Sequence, residues 1–235
     1  MNVLAIDTSN QVMSVAMRKD NKFVVDYTTN MKRNHSVGLM PAIDYVMKES
    51  STKPNELDKI VVAIGPGSYT GVRIGLSTAK TMAWTLNIPI VTISSLELLA
   101  YNGLGKARYI CPFFDARRGL VYTGLYEYNN KQLDVKFQEE NIALTEWLDR
   151  LKNLEGEILF ISPDYSLHQT TIEQVLGDQA IAPILETDTI PKASILAEIG
   201  ENRPSQSVHE VTPNYLRMVE AEANWLKEQK QKSGT

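Results

Sequence analysis

Residues 60–89 read IVVAIGPGSYTGVRIGLSTAKTMAWTLNIP. Ile60 to Ile64 are apolar and mostly β-branched, the composition of a strand buried on both faces. Gly65-Pro66-Gly67 then forms a turn, where glycine supplies unusual backbone angles and proline fixes one. Ser68 or Thr70 offers a side-chain oxygen to cap a helix, which runs to about Leu86 and is stopped by Asn87 and Pro89. A buried strand followed by a tight turn and a long helix is the unit of an α/β protein.

The helix carries a second pattern. Gly71, Gly75, Ala79 and Ala83 recur every fourth residue, so they share one face. Small residues permit another backbone to approach closely. Val72, Ile74, Leu76, Met82 and Leu86 add apolar surface around them, more than the single stripe a soluble helix needs. The expectation is a partner-binding groove on this helix. The competing reading is that the small residues pack only on the domain's own sheet.

The glycine turn also has two readings. It lacks the Gly-Lys-Ser/Thr of a Walker loop, and its third glycine, Gly71, falls one residue beyond the dinucleotide-binding spacing. It is either a tight strand-to-helix connection or an anion site at a helix N-terminus.

At 235 residues the chain has room for one large domain or two small ones. A formal net charge of -4 gives no basic excess for holding nucleic acid unaided. Cys111 is the only cysteine, so neither an intrachain disulfide nor a cysteine-based zinc site is expected. Asp7 interrupts the first apolar run, and no stretch reaches the length of a membrane span, so a cytoplasmic protein is expected.

In chain order, Val3–Ile6 reads as a strand ending in Asp7-Thr8-Ser9, a turn or a holder of metal-bound phosphate. Strands over 12–18 and 22–31 follow, joined at Asp20-Asn21. A helix over 36–48 has Leu39, Met40, Ile43, Val46 and Met47 on one face, with Pro41 expected to kink it or delay its start. His35 reads as a hydrogen-bonding residue at the helix entrance.

A short strand over 90–93 precedes a capped helix from Ser94. Asn102-Gly103-Leu104-Gly105 marks a boundary, dividing the chain into 1–103 and 104–235. The second half again opens with three strands (108–114, 120–128, 133–142), and again an aspartate, Asp115, stands at the first turn. Structural duplication is therefore expected. Helices are read over 145–154, 165–176, 191–200 and 219–232, and a strand over 157–161. The last helix is a candidate for packing back on the first domain. Paired Arg117 and Arg118 are either a solvated hairpin tip or a grip for a carboxylate or phosphate.

D-T-S at 7–9, N-H-S-x-x-L-x-P at 34–41, G-P-G-S-Y-T-G-V-R-I-G from Gly65, D-A-R-R-G-x-V-Y at 115–122 and P-x-Y-L-R at 213–217 occur in this order. Together they resemble the bacterial TsaB, or YeaZ, family over nearly the whole chain. The resemblance implies the actin-like ATPase (ASKHA, RNase H-like) fold with two similar α/β domains. It also implies a role in making threonylcarbamoyladenosine beside the tRNA anticodon, as a non-catalytic partner of the TsaD transferase. It implies further that the TsaE ATPase joins the larger complex, that the subunit dimerises with itself when alone, and that tRNA is contacted only indirectly. The alternatives are a nucleotide-dependent ATPase or phosphotransferase of the same fold, or a metallopeptidase. At 162–164 the sequence is Ser-Pro-Asp where relatives often have a Gly-Asp-Gly-like turn.

The residues themselves bear on catalysis. His35, His168 and His209 are far apart, with no H-x-x-x-H or H-E-x-x-H pair for a metal. There is no Gly-Gly anywhere. Asp7, Thr8, Ser9, Gly65, Gly67, Asp115, Arg117 and Arg118 therefore read as degenerate phosphate-loop positions, with no metal and no cofactor expected. The candidate partner interface is Leu39, Met40, Ile43, Met47, Gly71, Gly75, Ala79 and Ala83.

Overall fold

The structure, a computed structural model, describes residues 1–31 and 34–216. The helix read over 219–232 and Arg217 of the P-x-Y-L-R stretch lie outside the described residues.

Two sheets of the same topology organise the chain. The first contains β1 (Asn2–Asp7), β2 (Met13–Lys19), β3 (Lys22–Thr29), β4 (Lys59–Ala63) and β5 (Ile90–Ile93), in the order β3-β2-β1-β4-β5. The second contains β6 (Tyr109–Asp115), β7 (Leu120–Asn129), β8 (Gln132–Ala143), β9 (Ile158–Ile161) and β10 (Ala180–Ile181), in the order β10-β9-β6-β7-β8. Read from the opposite edge the two orders coincide. In each, an antiparallel three-strand meander is extended by two strands parallel to the first. This is the duplicated RNase H-like arrangement of the actin-like fold. The hairpin that joins β2 to β3 has local chemistry suited to it. Asp20 and Asn21 have φ of 50° and 60°, as a two-residue turn between twisted strands requires.

Alternation along β1 assigns its two faces. Leu4 and Ile6 face α1 (His35–Glu49) and α2 (Tyr69–Leu86), while Val3 and Ala5 face α6 (Ala193–Glu201) and Leu98 of α3 (Ser95–Ala100). Helix α1 begins at His35, with Asn34 Oδ1 accepting from Ser36 N–H, and continues through Pro41. Ser68, rather than Thr70, caps α2, and Asn87 closes it at φ 52° in the left-handed region. On the second sheet, Tyr109, Cys111 and Phe113 face α4 (Leu144–Leu151) and α5 (Tyr165–Leu176). Ile110 and Phe114 face Leu96, Leu99 and Ala100 of α3. Helix α3 is thus shared by both domains.

The division at residue 103 needs one correction. It separates the sheets, but residues 193–216 return to the first domain. Asp26 Oδ2 accepts from Ser194 N–H at 3.0 Å and Ser14 Oγ from Ala193 N–H at 2.8 Å, so strands β2 and β3 cap α6. Lys59 Nζ donates to Glu201 O at the other end of α6. Gln206 N–H then donates to Ile90 O, and Asn214 N–H to Ile64 O. The reason is coverage: the Val3/Ala5 face would otherwise be bare beside the single Leu98 contact, and burying it stabilises at about 25 cal/mol per Å² of apolar surface.

Candidate functional site

The first strands of the two repeats end at equivalent positions, Asp7 on β1 and Asp115 on β6. Between the domains lies a cleft of about 460 Å³, lined on one side by Asn10, Gln11, Gly67, Ser68 and Thr70, and on the other by Asp115, Arg117 and Asp164.

On the first side the chain itself occupies the glycine turn. A Cβ added to Gly67 would stand 2.1 Å from Ser9 O, one added to Gly71 2.2 Å from Thr8 O, and one added to Gly75 2.4 Å from Thr8 Oγ1. The backbone of α2 therefore lies directly on the Asp7–Ser9 turn. Ser68 N–H donates to Ser9 O, Ser68 Oγ accepts from Gly71 N–H, and Thr8 Oγ1 donates to Gly71 O at 2.7 Å. Behind the turn, a Cβ on Gly65 would meet Asn214 O at 3.2 Å. The glycines admit neighbouring backbone, and the donors Ser68 N–H and Gly71 N–H are bonded within the chain. Asp7 is buried; its Oδ1 accepts from Ser9 N–H and its Oδ2 has no partner. Burial raises its carboxyl above the ordinary range, opposed by the Ser9 hydrogen bonds.

On the second side, Asp115 N–H donates to Asp164 Oδ2 at 3.0 Å, and His168 Nε2 lies 3.0 Å from Asp115 Oδ1. Asp164 belongs to the Ser162-Pro163-Asp164 turn, where Ser162 Oγ accepts from Asp164 N–H. Burial raises the Asp164 carboxyl, and the Asp115 backbone hydrogen bond opposes it. Arg117 and Arg118 form an exposed hairpin tip at φ 65° and 57°, and only Arg117 of the two lines the cleft. His35 bonds Asn10 O through Nε2 at 2.7 Å, which ties the start of α1 to the β1–β2 turn. Among the described residues no cluster of three or more His, Cys, Asp or Glu side chains is placed to hold a metal ion.

The family model for TsaD, tRNA N6-adenosine threonylcarbamoyltransferase, matches residues 26–225. The tRNA threonylcarbamoyladenosine biosynthesis protein TsaB of Bacillus subtilis is 46% identical over 98% of this chain and 100% of its own length. The chain belongs to the TsaB family. The Escherichia coli TsaB is 26% identical over 92% of this chain and 95% of its own. A solved structure of YeaZ from Pseudomonas aeruginosa superposes with a TM-score of 0.75 at 22% identity, covering 92% of this chain and 99% of that one. No described helix is long and apolar enough to cross a membrane.

The surface of this TsaB-family chain corrects the interface read from its sequence. Leu39, Ile43, Met47, Gly71, Gly75, Ala79 and Ala83 are all buried, and they pack inward. Ala79 and Ala83 are fully covered in the cluster that contains Leu4 and Ile6, and Gly71 and Gly75 sit on Thr8. The small face of α2 is what lets that helix rest on β1. Of the eight residues only Met40 is exposed, at 53%. The outward side of the helix pair instead presents Val37 and Met40 of α1 and Tyr69, Arg73 and Trp84 of α2. Beside Tyr69 and Arg73 runs a shallow groove of about 510 Å³, walled by Ser36 of α1 on one side and by Tyr69, Ile74 and Ser77 of α2 on the other.

A contact between the domains, centred on Glu139, escapes a sequence reading. Glu139 accepts from Ser94 Oγ, from Tyr126 Oη at 2.6 Å and from Asn214 Nδ2 at 3.1 Å. Burial raises its carboxyl, with these hydrogen bonds opposing. The only sequence signal is Asn214 within P-x-Y-L-R, which gives no hint of its partner. Tyr215 of that stretch stacks on Tyr69 and accepts from Arg73 Nε at 2.6 Å.

Proposed function

We propose that this chain is a non-catalytic subunit in the synthesis of threonylcarbamoyladenosine in tRNA, and that it binds a TsaD-type transferase through the outward face of α1 and α2. The observation that carries the proposal is the exposure of Val37, Met40 and Trp84 on that face, at 72%, 53% and 67%. Large apolar residues exposed together mark a protein-binding surface, and tryptophan, tyrosine and arginine are the residue types that dominate binding energy. The paralogue shares the fold, so its equivalent helices would complete a four-helix bundle at packing distances of about 8–10 Å. A second copy of this chain would use the same face with two-fold symmetry, in competition with the transferase. The TsaE ATPase would join the assembly, in the cytoplasm, and tRNA would be contacted through the other subunits. The backbone-filled glycine turn beside Asp7 supports the absence of a catalytic role, because it leaves little access for phosphates on that side of the cleft.

The test uses Met40→Glu and Trp84→Glu with purified TsaD. Both side chains are solvent-facing, so folding stability should change by no more than about 0.5 kcal/mol. Loss of a central aromatic anchor should weaken association by about 30-fold or more. Two folded variants that bind TsaD with full affinity would overturn the interface. ATP turnover by the purified chain, abolished by Asp7→Ala, would overturn the non-catalytic role.

A further inference from the structure

Strand β8 carries an irregularity with a consequence for the whole molecule. Thr123 pairs with Glu140, but Leu125 pairs with Phe137, so Gln138 and Glu139 together oppose the single residue Gly124. Such a bulge turns the strand and re-aims a side chain. In a regular strand residues 137 and 139 share a face. Here Phe137 stays on the α4 side, edge-on to Trp147 at 5.9 Å. Glu139 crosses to the other side, where Tyr126 packs against α3. Gly124 leaves the room required, since a Cβ there would stand 3.3 Å from Glu139 Cγ.

The redirected carboxylate meets the other domain. Two of its three donors come from segments of the first domain. Ser94 directly follows β5, and Asn214 belongs to the returning segment whose N–H bonds Ile64 O just after β4. The next residue, Ser95, binds the glycine turn both ways, with Gly65 N–H donating to Ser95 Oγ and Ser95 N–H to Gly65 O. Glu139 is therefore linked through one peptide to the turn that borders the cleft.

We propose that Glu139 is an interdomain latch, delivered by the β8 bulge, that holds the two domains at one cleft opening. Tyr126 orients the carboxylate from within its own domain; Ser94 and Asn214 are the parts that bind across the boundary. Breaking the cross-domain bonds should free the domains to hinge about α3, while each sheet keeps its own core.

The experiment measures an interdomain distance distribution in the full chain by pulsed electron spin resonance. Labels are placed at Lys48→Cys on α1 and Thr170→Cys on α5, both exposed positions. Cys111 is buried, and burial pushes its thiol up to about 11, so it does not compete for the label. Diluted into excess unlabelled chain, so that only distances within one molecule are read, the parent should give one narrow distribution. Glu139→Ala should populate a second arrangement, with the population ratio moved about tenfold or more by loss of hydrogen bonds to a carboxylate. Asn214→Ala should broaden it less, and Tyr126→Phe should leave it narrow. A parent-like distribution in both Glu139→Ala and Asn214→Ala overturns the latch. So does a Tyr126→Phe distribution as broad as that of Asn214→Ala, because the effect would then come from lost burial rather than cross-domain bonding. If Glu139→Ala does not fold, Asn214→Ala against Tyr126→Phe decides alone.

Discussion

Gly75→Ala reverses the usual sign of a glycine-to-alanine change in a helix. At a free position of α2 the substitution would stabilise by about 1 kcal/mol through helix propensity. Here the new Cβ would stand 2.4 Å from Thr8 Oγ1, and 3.7 Å from Ile6 Cγ2. Overpacking a close-packed site costs about 1–3 kcal/mol. Relieving the overlap also moves the Thr8 hydroxyl from Gly71 O, its acceptor at 2.7 Å. A buried hydroxyl left unsatisfied costs about 1–3 kcal/mol more. Setting the propensity gain against these, the net effect is a destabilisation of about 3 kcal/mol, or about 6–12 °C in Tm for a chain of this size. Thermal and urea unfolding of Gly75→Ala, Thr8→Ala and the double variant measure it. Removing the hydroxyl should relieve the clash, so the double variant should be more stable than additivity allows by about 1 kcal/mol or more. A Gly75→Ala protein more stable than its parent, or an additive cycle, would refute the packing of α2 on the Asp7–Ser9 turn. Normal Tm with weakened TsaD binding would instead return Gly75 to a partner-facing groove.

Asp26→Ala removes the carboxylate that caps α6 from β3 and should cost about 1 kcal/mol. The loss should appear as faster amide exchange in residues 193–201, and unchanged protection there would contradict the tertiary cap. Asp7→Asn tests the buried acid. An acid raised in the fold binds more protons in the native state between its unfolded and folded values, so stability falls as pH rises above about 4. The asparagine variant, which keeps an acceptor for Ser9 N–H, should be more stable than the parent at pH 7 and indistinguishable near pH 3; an unchanged pH slope would refute it.

The local grammar of the chain was legible before any coordinates. Ile60–Leu86 forms the strand, turn and helix that its β-branched run, glycine turn and capping serine require. Asp20-Asn21 makes its hairpin, and Asn87 closes α2 through left-handed backbone chemistry that depends only on neighbours. The two-domain α/β repeat and the motif order were likewise present in the sequence. What the small residues of α2 touch was not. A four-residue spacing states which residues share a face, but whether β1 or a partner meets that face depends on how the sheet closes beneath it. The cap of α6 comes from residues 179 and 168 positions away, beyond any local pattern. Glu139 is further removed still, because alternation places it beside Phe137 and only the bulge opposite Gly124 turns it to the other face. Local interactions fix the elements and their faces; long-range pairing decides what each face meets.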